Sequence, residues 1–230
     1  MKEEYENFYK HTFTGEKTNL GVKNSLFPRN RIESIYNYCG KFNTIMDIGC
    51  GDGYLLEVLS SKYKNCIGLE YSPNRLHLAE KRLENFHFKG LVGSAENLLD
   101  IMDSNSVDCV VSADTIEHIP NVYAACDEMY RILKPGGTLI INTPNTAFIK
   151  KRIQLLFGRF PSTSSDNEGL GGELMFDGGH LHYFTFRSLK LLLKRSGFEI
   201  IKSNGYGDLG FFHAIYPPLL SGGIQIIAKK

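Results

Sequence analysis

The chain has 230 residues and a formal net charge of +1. That length suits one domain with a full core, and the balanced charge gives no bulk electrostatic case for nucleic acid or an anionic membrane. Five cysteines, Cys39, Cys50, Cys66, Cys109 and Cys126, include no C-x-x-C pair, which points to reduced thiols in a cytoplasmic protein rather than a disulfide framework or a zinc site.

The opening stretch MKEEYENFYK is charged and has no hydrophobic signal core, and no apolar run approaches the ~20 residues of a membrane span. From about residue 43 the pattern alternates. TIMDIGC is a short buried strand and YLLEVLSSKY a helix; NCIGLEY is a second strand. SPNRLHLAEKRLEN is a second helix, with Ser72 as N-cap and Pro73 at its first position. FHFKGLVG and SVDCVVSAD are two further strands, with a short helix expected around Glu96 to Ile101 between them. NVYAACDEMYRILKPGG is a helix stopped by Pro135 and the glycine pair, and TLIINTP a fifth strand. NTAFIKKRIQLLFGRF reads as a helix and PSTSSDNEGLGGELMFDGG as a long lid-like loop. TFRSLKLLLKRSG is a helix ended by Gly197, followed by the strands FEIIKSN and GGIQIIAKK. Buried β runs separated by helices predict an α/β fold: a Rossmann-like, doubly wound, mainly parallel sheet with helices on both faces. Nothing marks a second domain.

Gly49, Gly51 and Gly53 stand where the first strand hands over to the first helix, the edge at which open α/β sheets bind ligands. A dinucleotide fingerprint needs G-x-G-x-x-G, and its third glycine position is Tyr54 here. That disfavours a nicotinamide cofactor. Asp47 and Asp52 beside the loop would repel a pyrophosphate and suit a ligand with an ammonium and hydroxyls. Glu70, about 20 residues on at the end of the second strand, can accept from both hydroxyls of a ribose.

Five pieces in register, MDIGCGDGYL, GLEYSPN, GSAENL, VDCVVSADTIEHIP and LKPGGTLIINTPN, resemble class I S-adenosylmethionine-dependent methyltransferases, closely over residues 43–145 and loosely to the end. The resemblance implies a seven-stranded sheet and S-adenosylmethionine as cofactor. It implies that Gly49, Cys50, Gly51 and Gly53 face the methionine portion and sugar, and that Asp47 orients the loop and reaches the amino group. Glu70 would hold the ribose with Tyr71 beside the adenine. Ser94 stands where many members have an acid for the adenine amino group, with Ala95 and Glu96 lining that side. Ser112 and Ala113 would lie under the sulfonium. Residues 1–42, with Tyr5, Phe8, Tyr9 and Phe13, would form a helical flap over the cofactor or a plain hydrophobic anchor.

Asp114, Glu117 and His118 in ADTIEHIP follow the fourth strand, where an acceptor would approach. Their order is similar to the metal-binding acidic–histidine motif of ubiquinone-type O-methyltransferases, with Asp114 in place of glutamate. Glu-His before Ile-Pro also serves simply to close the strand–helix turn, and no metal is expected. In GGHLHYFTF, His180 and His182 share one side of an extended segment, and an imidazole suits proton removal near neutral pH. His118, His180 and His182 are the candidate catalytic groups; pinning the long loop is the alternative role for the last two. The expected acceptor is a small molecule, since there is neither a basic stripe nor an N-P-P-Y motif for flipped bases. No membrane contact is expected, and GDLGFFHAIYPPLL is read as an acceptor wall or a homodimer contact. FIKKRIQLLFGRFPST with HLHYFT is similar to methyltransferase-like proteins that partner homoserine acyltransferases. In that alternative the chain is a non-catalytic cofactor-binding protein, docking through the helix from Ala147 to Phe157.

Overall fold

Thr44–Ile48 forms β1, buried along its length after Thr44, which is why it reads as an unbroken apolar run interrupted only by Asp47. The structure, a computed structural model, describes residues 22, 24–164, 168–170 and 175–230. Tyr5, Phe8, Tyr9 and Phe13 lie outside the described residues. Helix α1 (Arg31–Tyr38) precedes β1. It is followed by α2 (Tyr54–Val58), β2 (Asn65–Glu70), α3 (Pro73–Arg82), β3 (Phe88–Val92), β4 (Val107–Ala113), α4 (Val122–Ile132) and β5 (Leu133–Pro144). Then come α5 (Ile149–Leu156), α6 (Phe186–Arg195), β6 (Glu199–Tyr206), the four-residue helices α7 (Phe212–Ile215) and α8 (Pro217–Leu220), and β7 (Gly223–Lys229).

The seven strands lie in the order β3-β2-β1-β4-β5-β7-β6, and β7 runs antiparallel to both of its neighbours. This is the expected doubly wound, mainly parallel sheet. Strand order reverses between β1 and β4, which opens a crevice at their carboxyl ends. Side chains alternate between two apolar layers. Met46, Val110, Leu139 and Ile141 face α4 and α6, whereas Ile45, Cys109, Val111 and Ile140 face the layer of Ile35, Leu56, Leu76 and Ala79.

Ser72 caps α3 by accepting from the Arg75 N–H, with Pro73 at the first position, and Gly197 ends α6 at φ +99°. Three expectations need correction. Residues 96–101 form turns, not a helix: the Leu98 N–H donates to the Glu128 carboxylate, and Glu96 bonds outward to the Asn121 N–H. Helix α4 stops at Ile132, short of Pro135, because Leu133 already pairs with Val107 in β5. Helix α5 is shorter than its apolar pattern, since Asn145 Oδ1 takes the Ala147 N–H and turns the chain before it. The helices α7 and α8 both fall within GDLGFFHAIYPPLL.

Candidate functional site

The turn after β1 is held from beneath, where Gly49 N–H and Cys50 N–H both donate to the Leu69 carbonyl at the end of β2. Gly49 is left-handed (φ +78°), and a Cβ there would lie 2.4 Å from Thr115 Oγ1. The loop after β4 therefore closes on this turn through Thr115, a contact the sequence gives no sign of. Gly53 (φ +81°) caps α2, with Ala79 and Leu83 against it.

Glu70 ties the turn to the next strand. Its carboxylate, 2% exposed, accepts from Gly51 N–H (2.9 Å) and Ser72 N–H (3.0 Å), with the Arg75 guanidinium 3.6 Å away. A carboxylate has lone pairs beyond those two bonds, so it can still receive hydroxyls from a ligand.

Six of the expected cofactor residues, Gly49, Glu70, Tyr71, Ser94, Ala95 and Glu96, line one cavity of about 240 Å³ at the carboxyl edge of the sheet. They come from three separate strand ends. Thr115, His118 and Pro120 close it from the loop after β4, and Met175, Gly179 and Leu181 from the far loop. Ser94 donates to Glu96 (3.0 Å), so the serine is tied to the acid two residues on. Cys50, Gly51, Gly53, Asp47, Ser112 and Ala113 do not line this cavity.

Asp47 and Ser112 instead lie in the sheet beneath the turn. Asp47 Oδ1 and Ser112 Oγ are buried without a hydrogen-bond partner among the described residues. Burial, reinforced by the charge of Glu70 and opposed by Arg31 and Arg75, pushes the Asp47 carboxyl up to about 7. Orphaned buried polar atoms beside a positive-φ turn fit a cofactor that brings an ammonium and hydroxyls. The Cys50 thiol is pushed well above its ordinary value by burial and the charges of Asp47 and Glu70, which makes it inert.

The D-x-x-E-H cluster splits. Asp114 adopts φ +48°, accepts from Tyr206 (3.1 Å) and pairs with Arg31 (3.0 Å). Glu117 points elsewhere. Its Oε2 accepts from Thr143 (3.0 Å) while Oε1 has no partner. Burial, then the charge of Asp114, raises the Glu117 carboxyl well above the carboxylate range.

His118 and His180 meet edge to face with ring centroids 4.7 Å apart. His118 Nδ1 donates to the Gly179 carbonyl (3.1 Å), which leaves Nε2 with its lone pair. Burial, then the facing His180, lowers the His118 imidazole to about 4; burial also lowers His180. His182 Nε2 donates to the Pro120 carbonyl (3.2 Å) and its ring stands over Phe184. Among the described residues, Glu117, His118 and His180 offer atoms within 4.8 Å of one another, a set able to hold a metal ion.

The far loop is organised by Asp177. Fully buried and in a left-handed conformation (φ +45°), it accepts from the Ser162, Ser164 and Tyr183 hydroxyls and from the Thr163 and Ser164 N–H groups. Thr163 links it to His180 Nδ1 (2.6 Å). Burial alone would raise the Asp177 carboxyl, but the serine hydroxyls and backbone donors outweigh it and hold it far below the usual range. The stabilisation from this group is therefore present above the ordinary carboxylate pKa and is lost only as pH falls toward the depressed one. Asp177→Asn puts an amide nitrogen, which cannot accept, among these donors. We expect faster hydrogen exchange and protease nicking across residues 160–183, with β1 and β4 protected as in wild type. Equal exchange in the two proteins would show that Asp177 does not hold the loop.

The crevice at the switch point, the left-handed turn and the carboxylate one strand over define a nucleoside-binding domain of the class I methyltransferase kind. The model of the family described as "Methyltransferase domain" matches residues 24–203. The chain belongs to that family, whose cofactor is S-adenosylmethionine. A mitochondrial ubiquinone biosynthesis O-methyltransferase of Dictyostelium discoideum is 33% identical over 116 residues, 46% of this chain and 36% of that protein. A "probable S-adenosylmethionine-dependent methyltransferase" of Mycolicibacterium smegmatis is 26% identical over 205 residues, 87% of this chain and 68% of its own length. The chain thus spans about a third of the first relative and two thirds of the second. Among solved structures, a SAM-dependent methyltransferase of Methanosarcina mazei superposes with TM-score 0.63 at 26% identity, covering 86% of this chain and 96% of its own.

Proposed function

We propose that this chain binds S-adenosylmethionine across the turn after β1 and catalyses methyl transfer to a small-molecule acceptor. The supporting observation is the convergence of Gly49, Glu70, Tyr71, Ser94, Ala95 and Glu96 on one cavity. When bound, the cofactor supplies a methyl group already activated on a sulfonium. The chain's residues are left to bind, orient and remove a proton. Glu70 accepts the ribose hydroxyls while the Gly51 and Ser72 N–H groups hold its carboxylate in place. Asp47 takes the ammonium, and Ser112 and Ala113 leave room at the end of β4.

His118 is the proton acceptor in this reading, at its Nε2, because it lines the cavity and its other nitrogen is fixed by Gly179. Burial, and then the facing His180, keep it neutral at physiological pH. His182, bonded to Pro120, pins the loop instead. Helix α5 and the loop around Asp177 act as a helix and lid beside the cavity.

Calorimetry with S-adenosylhomocysteine and with NAD tests the reading. The first should bind and, at a hundred times its Kd, stabilise the fold by about 2.7 kcal/mol; NAD should do neither. No association with the nucleoside would overturn it. The exposed face of α5 favours a second reading, a cofactor-binding partner of a biosynthetic acyltransferase. Copurification of an acyltransferase, with no methyl transfer to any acceptor, would replace the enzymatic reading by that one.

A further inference from the structure

An amphipathic helix ordinarily turns its apolar stripe to the core; α5 turns it to solvent. Ile149, Ile153, Leu156 and Phe157 recur at i, i+4, i+7 and i+8, yet no residue of α5 is buried. Ile153 is 48% exposed, Leu156 79% and Phe157 76%. Lys150 and Arg152 flank this stripe on its two sides, and no acid occurs between Asn145 and Ser165.

Arg152 also lines a cleft of about 540 Å³ between α5, α6 and α8, together with Arg187, Lys190 and Lys194 of α6. Among the described residues, no acidic side chain lines the cleft. Among the described residues, Arg187, Lys190 and Lys194 make no ion pair. The exposed Leu191 and Tyr216 border the same cleft. The net charge of +1 for the whole chain conceals this local segregation of cations.

We propose that the stripe of α5 and the adjoining basic cleft form one docking surface for an anionic lipid bilayer. Apolar side chains exposed along a short helix and bordered by cations are what an interfacial helix presents to headgroups and the acyl boundary. Lysine supplies most of the charge around the stripe and cleft. Protein interfaces are depleted in lysine, and a flexible point charge suits a fluid array of headgroups better than a fixed protein partner. Helix α5 starts at Ile149, shortly past the carboxyl end of β5 at Pro144, so its first turn stands near the sheet edge that carries the cofactor cavity.

The test is flotation of the full chain with vesicles of phosphatidylcholine alone or mixed with phosphatidylglycerol. Binding to the mixed vesicles only is expected, and it should collapse between about 0.1 M and about 1 M salt as the screening length falls from about 10 Å to about 3 Å. The pair Lys190→Glu and Lys194→Glu should weaken partitioning at least about tenfold, and Leu156→Gln with Phe157→Ser should do the same. Both variants should keep wild-type affinity for S-adenosylhomocysteine, which certifies their fold. Equal partitioning into both vesicle types, or variants that bind like wild type, would overturn the proposal. So would a dimer in solution that the Leu156→Gln and Phe157→Ser variant dissolves, because a second copy would then own the surface.

Discussion

Glu70→Ala is expected to abolish stabilisation by S-adenosylhomocysteine and to lower the melting temperature of the free protein. The two losses have separate causes. In the free chain the carboxylate is the acceptor for the Gly51 and Ser72 N–H groups, and alanine leaves both buried donors without one. Each such donor costs about 1–3 kcal/mol, and for a chain of this size 1 kcal/mol moves the melting temperature by about 2–4 °C. A fall of roughly 4–24 °C follows. In the complex, two hydroxyl bonds to a charged acceptor contribute about 1.5–3 kcal/mol each, so affinity should drop at least about a hundredfold. Glu70→Gln separates the effects. Its amide oxygen can satisfy one N–H, but the amide nitrogen faces the other, so it should recover part of the stability and little of the affinity. Scanning calorimetry with and without the ligand reads both quantities. A variant that melts early yet binds at wild-type strength would leave Glu70 a purely structural clamp, and the ribose assignment would be wrong.

How far the sequence reaches depends on how local each feature is. The sheet was legible because a parallel strand buried on both faces must be an apolar run, and β1, β2 and β4 are such runs. The lining of the cavity was legible in part: Gly49 and Glu70 sit at strand ends that the alternation locates, while Tyr71 and Ser94 followed from the family resemblance. The acceptor side was not. Asp114 finds its partners in Arg31 and Tyr206, 83 and 92 residues away, and no spacing rule predicts such pairs. The D-x-x-E-H spacing suggests one cluster, but positive φ at Asp114 sends it to one side while Glu117 and His118 turn to His180. Asp177 shows the same limit. In sequence it is a polar residue before two glycines, a loop signal; in the structure it is fully buried by donors from Ser162, Thr163 and Ser164. The turns at residues 96–101 likewise rest on long-range bonds, from the Leu98 N–H to Glu128 and from the Asn121 N–H to Glu96, that no local pattern announces.

Asp47 makes the second large prediction, one of sign as well as size. Its carboxyl is raised from 3.8 to about 7, by burial first and the charge of Glu70 second. A raised acid holds its proton in the folded chain over a range where the unfolded chain has lost it. Stability is therefore full below about 4, declines as pH rises, and is diminished to the full extent above about 7. Three units correspond to about 4 kcal/mol. Asp47→Asn carries no ionisation cost, so the free variant should be more stable than wild type at pH 8, by up to that amount, and little different at pH 4. Subtracting the two curves cancels every other titrating group. Binding should move the opposite way. The cofactor's ammonium favours the ionised carboxyl, so wild-type affinity for S-adenosylhomocysteine should fall as pH drops below 7, by at most about tenfold per unit. The asparagine variant should bind more weakly at pH 8 and show no such slope. Denaturant melts and calorimetric titrations from about pH 4 to about pH 8 read both curves. If the variant gains nothing at pH 8 and keeps the wild-type pH slope of binding, Asp47 is not the group that answers the cofactor's charge.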